Sequence, residues 1–329
     1  MIARLTRWLL ALQIAAVAGI AGYAASLPRI HSLWLASIIG VGAVLLVRIG
    51  IVANNFFISR KYGSATPSHF ALSPWQKCRL FLREFTASMI SSSWLMPFFS
   101  LHSADKMPST TLPVLLVHGY GCNGAYWIPM SKALARAGIA HDSVDMEPLL
   151  ADIDTYAAVI NQAVDEMRES TGQDRIIVVA HSMGGVATRA YLRKHGSGKI
   201  AKVITLGTPH HGTVLGNFGI GTNSRQMGVS GKNPQDMKPS DWLRQLGDGE
   251  SPEIRALFVS IYSHHDNIVV PQISSYLSGA KNIEFGGVGH VTLAFDPEVQ
   301  AAVIGEILQT SGRTPKRDDS SSIQPSRQP

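Results

Sequence analysis

A chain of 329 residues is long enough for one large domain with accessory segments and a sizeable buried core. With 45% hydrophobic and only 16% charged residues it is too apolar for a disordered or solvating chain. Its net charge of +6 is uneven: residues 1–109 hold 10 Lys/Arg against 2 Asp/Glu, and residues 110–329 hold 19 against 21. The basic excess adjoins apolar runs and forms no patch of its own, which points to anionic lipid head groups and away from nucleic acid. The two cysteines, Cys78 and Cys122, give no metal pattern, no CxxC pair and no disulfide framework.

Residues 8–28 contain no charge and have the length of a helix that crosses a hydrocarbon core. A second apolar run, 30–59, is interrupted only by Arg48, which either snorkels or marks the end of the span. The short break around Pro28 makes the two a helical hairpin, so residues 1–65 form a transmembrane unit. Arg4 and Arg7 precede it, Arg60, Lys61, Lys77, Arg79 and Arg83 follow it, and the turn holds only Arg29. The positive-inside rule then puts both ends, and all that follows, in the cytoplasm. A cleavable signal peptide is the alternative for residues 1–27, since a basic start, an apolar core and small residues near Ala21 match that template too.

Residues 66–109 read as a juxtamembrane linker. Within it Trp75, Cys78, Leu82, Phe85 and Met89 share one helical face, either an interfacial helix on the membrane or a helix packed on the protein's own core. From about residue 110 strand and helix patterns alternate. Strands are expected at 111–118, 139–144, 175–180, 200–206, 258–263 and 283–286, with helices at 127–137, 152–170, 182–195 and 294–308. This rhythm predicts a mostly parallel sheet with helices on both faces, over 110–310. Residues 212–250 interrupt it with a polar, Gly-, Ser- and Asn-rich stretch, expected to be a lid-like insertion. The Ser/Pro-rich segment 311–329 is expected to be disordered.

Ser182 stands in Val179-Ala180-His181-Ser182-Met183-Gly184-Gly185, between an apolar strand and a helix, where a sharp turn lifts a serine hydroxyl above the sheet. Small residues two positions either side, here Ala180 and Gly184, leave room for the backbone to fold back. A nucleophile needs donors for the developing oxyanion. The loop His118-Gly119-Tyr120-Gly121, at the end of the preceding apolar strand, offers the Tyr120 N–H to pair with that of Met183. Asp266 and His290 each follow a later strand, in the order acid then base. His264 and His265 are too close to Asp266 in sequence to face it across a site. His118, His181, His210 and His211 suit hydrogen-bonding or wall positions.

The segments LVHGYGCNGAYW, VAHSMGG and LGTPHHGT, with Ser263-x-x-Asp266-x-x-Val269-x-Pro271, resemble bacterial lipases and esterases of the α/β-hydrolase superfamily. Residues 237–243 are similar to a segment after the variable insertion of that group, and the likeness covers about residues 110–310. The resemblance implies an α/β-hydrolase fold, Ser182 as nucleophile, Asp266 as acid, His290 as base, and Tyr120 and Met183 as oxyanion donors. His118, Trp127, His181, His210 and His211 become candidates for the substrate wall or the surroundings of the site. No cofactor and no metal are expected. The substrate is expected to be a lipid or other acyl ester, at a bacterial inner membrane. Departures are Ala180 in place of the usual first glycine, the amino-terminal hairpin, and little room for strands before residue 110. An acyltransferase or thioesterase on the same fold stays open, as does a non-catalytic membrane scaffold.

Overall fold

The structure, a computed structural model, describes residues 1–101, 111–231, 233 and 236–312. Two long helices come first, α1 (Ile2–Ser26) and α2 (Leu33–Tyr62), joined by a tight turn with Ser32 capping α2. Both are long and apolar enough to cross a membrane. They pack together through small residues: a Cβ at Gly40 would lie 3.2 Å from the Ala21 methyl. Their outer faces are bare of protein, with Trp8, Leu33 and Trp34 at least 72% exposed.

Helix α3 (Pro74–Ile90) begins at a capping box made by Ser73 and Gln76. A wide turn, Ser91–Leu95, and the short α4 (Met96–Phe98) continue it. Of the face that carries Trp75, Cys78, Leu82, Phe85 and Met89, Trp75 is 74% and Leu82 52% exposed, while Phe85 and Met89 lie beside the hairpin. Leu80, Glu84 and Ala87 are buried.

The six strands expected from the sequence are all present, within two to three residues of their anticipated ends. They are β1 (Val114–Val117), β2 (His141–Val144), β3 (Ile176–His181), β4 (Ile200–Leu206), β7 (Phe258–Ser263) and β8 (Lys281–Phe285). Their order is β2-β1-β3-β4-β7-β8, and every neighbouring pair is parallel. Alternate residues serve opposite faces, as strand geometry requires. Leu115, Val117, Val178 and Ala180 meet α6 (Ile153–Thr171) and α7 (Met183–His195). Val114, Leu116, Ile177 and Val179 meet α5 (Ile128–Arg136) and α11 (Pro297–Thr310). Strands covered on both sides read as continuous apolar runs, so the periodicity that identifies a half-buried strand is absent from them.

Residues 212–250, a polar stretch of little period in the sequence, carry regular elements. Their described part holds α8 (Thr222–Gln226), a small antiparallel ladder of β5 (Val229–Ser230) and β6 (Lys238–Pro239), and α9 (Asp241–Asp248). The short α10 (Pro252–Ala256) leads into β7. The insertion is riveted to α6 and α7 by polar groups: Trp242 Nε1 donates to Asp154 at 2.9 Å, and Arg189 meets Glu250 through two bonds of 2.6 and 2.9 Å. Arg189 and Glu250 are both buried, so losing either strands a charge in the core. Part of the polar composition here reflects internal bonding. At its tip the side chains of Phe218 and Ile220 are each 72% exposed. The expected disordered segment lies, beyond Gly312, outside the described residues.

Candidate active site

Ser182 occupies the turn between β3 and α7 with φ 55°, ψ −127°. It is the one non-glycine at positive φ among the described residues, a conformation that costs of order 1–3 kcal/mol and persists only where its surroundings impose it. Its N–H donates to Leu206 O at 2.9 Å, and its carbonyl accepts from Thr208 Oγ1 at 3.0 Å. The next residue, Met183, opens α7, so the free N–H groups of a helix start lie beside the hydroxyl. The loop after β1 crosses so closely that a Cβ at Gly119 would sit 2.9 Å from the Ser182 Cβ. That approach requires glycine and brings the Tyr120 backbone to the same corner. The Tyr120 hydroxyl, in turn, donates to Ile220 O at 2.7 Å, tying this loop to the tip of the insertion.

Asp266 follows β7 and His290 follows β8, and His290 Nδ1 meets Asp266 Oδ2 at 2.7 Å. The second carboxylate oxygen accepts the N–H groups of Ile268 and Val269 at 2.7 and 2.8 Å, which fixes its plane. Asp266 and His290 are 1% and 4% exposed. Burial by itself lowers the imidazole's proton affinity, but the Asp266 charge, its hydrogen bond and the Glu84 charge outweigh it, so the His290 pKa is raised above 6.5. Residues 206–208 join the two halves of the site. Leu206 and Thr208 hold the Ser182 backbone, while a Cβ at Gly207 between them would meet Asp266 Oδ2 at 3.0 Å and His290 Nδ1 at 3.2 Å. Serine, acid and base candidates therefore converge at the carboxyl edge of the parallel sheet.

The family described as alpha/beta hydrolase fold matches residues 113–220. A triacylglycerol lipase of Burkholderia plantarii is 26% identical over 124 residues, 35% of this chain and 34% of the lipase. A non-heme chloroperoxidase of Kitasatospora aureofaciens is 34% identical over 104 residues, 29% of this chain and 36% of that protein. The chain thus spans little more than a third of these curated relatives. Aspergillus fumigatus lipase B superposes with a TM-score of 0.54 at 19% identity, over 63% of this chain and 56% of that one. A Bacillus licheniformis lipase in its mature form gives 0.51 at 18%, over 63% and 96%. The chain has the α/β-hydrolase fold and resembles lipases over part of its length.

Within this fold the remaining candidates separate by position. Trp127 is fully buried in the core against Tyr126 and His181, so it is not a substrate wall. His118 is a neutral structural imidazole: Nδ1 bonds to Gly119 O at 2.9 Å, Nε2 accepts from Met146 N at 3.1 Å, and burial depresses its pKa. His181 lies against His290, its ring centroid 4.5 Å from that of His290 and its Nε2 3.1 Å from His290 O. Burial, then the neighbouring His290 charge, keeps its pKa well below 6.5, so Nε2–H is the donor. His210 is buried between β4 and β7 near Thr205 and Ser260, away from the acid–base pair, and His211 lies at the surface. Among the described residues no group of three or more His, Cys, Asp or Glu is arranged to hold a metal ion.

Two supports of the site escaped the sequence. Glu84 on α3 accepts from Val291 N at 2.9 Å, Thr292 N at 3.0 Å and Thr292 Oγ1 at 2.7 Å, directly after His290. Burial raises its pKa, while these three donors favour the ionised form. Arg83 beside it pairs with Asp296 at 2.5 Å, at the far end of the same loop. On the other flank Ser59, near the end of α2, donates to Asp266 O at 3.0 Å, and Gln272 bonds to both. Glu84 left one trace: it is one of only two acidic residues among the first 109.

Proposed function

We propose that the chain is a membrane-held serine ester hydrolase, with Ser182 as nucleophile, His290 as base and Asp266 as its orienting acid. The observation that carries this reading is the strained turn at Ser182 set against the hydrogen-bonded Asp266–His290 pair. His290 Nε2 accepts the Ser182 proton as Oγ attacks an ester carbonyl, and Asp266 stabilises the imidazolium. The N–H groups of Met183 and Tyr120 receive the oxyanion, each donor worth about 2.7–4 kcal/mol in comparable sites. His290 then protonates the departing alcohol, and a water molecule, deprotonated by His290, releases the acid from the acyl-enzyme. The named lipases among its relatives support an ester substrate, and the hairpin favours acyl lipids.

Left in water, the outer faces of α1 and α2 would forfeit about 1.5–3 kcal/mol for each large apolar side chain, so a bilayer is their natural surroundings. The cations flanking the hairpin put the hydrolase domain on the cytoplasmic side. A reporter active only in the periplasm, fused after residue 65, is expected to stay silent, and a strong signal from it refutes this orientation. For the reaction, purified full-length protein in detergent micelles is expected to hydrolyse p-nitrophenyl esters of both short and long acyl chains. Turnover of thioesters with none of oxygen esters would favour the thioesterase alternative instead.

A further inference from the structure

We propose that the cavity between the hairpin and α3 is an acyl-chain site, through which a bilayer lipid reaches Ser182 from within the membrane. This rests on the hydrolase reading above and adds the route and the chain-length control. The cavity has a volume of about 680 Å³, in the range of ligand pockets, and its wall is overwhelmingly apolar. Residues of α1 and α2 make one side of it, and Phe85 and Met89 of α3 the other. Its inner end is formed by Asn267, Ile268 and Val291. These are the neighbours of the acid and base: Asn267 follows Asp266 and accepts the His290 N–H at 3.0 Å, and Val291 follows His290.

Four features point to one occupant, the acyl chain of a membrane lipid. The first is access, because Ser182, Asp266 and His290 are only 8%, 1% and 4% exposed, so little of the site faces water. The second is the mouth: Leu12 and Val47 line the cavity yet are 66% and 64% exposed, on helices long enough to lie in a bilayer. The third is length and direction. From Ala43 at the far end to Asn55, the lining residues of α2 rise about 18 Å, parallel to the way lipid chains run. The fourth is charge. Of the charged lining residues, Arg48 bonds to Gln13 at 2.7 Å and to Ser92, and Glu84 is spent on residues 291–292. The rest of the lining is uncharged, so the cavity suits a neutral chain.

Ala43→Trp fills the far end and leaves the end beside Asp266 free. Full-length protein in nanodiscs is expected to lose roughly tenfold or more in p-nitrophenyl palmitate turnover, with p-nitrophenyl acetate turnover within about twofold of wild type. Leu46→Trp, on the exposed outer face, is expected to leave both rates unchanged. An unchanged palmitate-to-acetate ratio in Ala43→Trp overturns the acyl site. Should that variant fail to fold, wild-type protein in vesicles containing a diazirine-bearing phospholipid decides the matter. Photocrosslinks at Phe85 or Met89 are expected, blocked by prior reaction with a hexadecyl phosphonate but not an ethyl phosphonate. Crosslinks confined to outward residues such as Trp34 and Leu46, or insensitive to the hexadecyl probe, overturn it equally. If wild type neither cleaves the acetate ester nor reacts with the ethyl phosphonate, the hydrolase reading itself has failed.

Discussion

Ser182→Ala is expected to abolish labelling by a fluorophosphonate probe and to lower kcat for any accepted ester by about 10⁴- to 10⁶-fold. The size follows from what the hydroxyl does. Without Oγ no acyl-enzyme forms, and His290 has no serine proton to accept. Water attacking directly, helped only by the Met183 and Tyr120 N–H groups, accounts for the residual rate. Stability is a separate matter, because the bonds that hold the turn use the Ser182 backbone, through Leu206 O and Thr208 Oγ1. The variant should therefore melt within a few degrees of wild type, which removes misfolding as an explanation. Labelling that persists in Ser182→Ala means another residue is the nucleophile.

The site and its scaffold were legible to different depths. Buried parallel strands announce themselves as apolar runs, and VLLV and IIVVAH needed no partner to be read. The turn at Ser182 was legible because its sterics demand small neighbours at fixed spacing. What stayed hidden depends on tertiary contact. Glu84 is 207 residues from the Val291 N–H it accepts, and Ser59 is 207 from the Asp266 carbonyl. No local pattern encodes such pairs. On α3 the covered stripe of Leu80, Glu84 and Ala87 includes a carboxylate, which apolar spacing does not mark. The regular elements of the insertion stayed hidden for a related reason, since Asn223, Trp242 and Glu250 are polar groups that bond inward and look like solvated loop in the sequence.

Those hidden supports lead to the second large effect. His290 must be neutral to accept the Ser182 proton, and its pKa is raised above 6.5, so kcat/KM is expected to fall as pH drops through a value above 6.5. The sign for stability is the reverse. Charged His290 contributes stability that is fully present below its unfolded pKa and is lost as pH rises through the folded one. Asp266→Asn removes the carboxylate charge and the acceptor at Nδ1, leaving burial to lower the pKa and an amide that favours the wrong tautomer. The acid limb should move to lower pH while the plateau falls by about 10⁴-fold. Glu84→Gln removes the smaller of the two charges that raise the His290 pKa, so its limb should move in the same direction but less far. Its new NH₂ group would face N–H donors at residues 291–292, at a cost of about 1–3 kcal/mol. Pairing the pH–rate profiles with melting curves separates the two roles. A Glu84→Gln enzyme that melts earlier with an unmoved acid limb makes Glu84 a brace alone, and an Asp266→Asn enzyme within tenfold of wild type rules Asp266 out as the orienting acid.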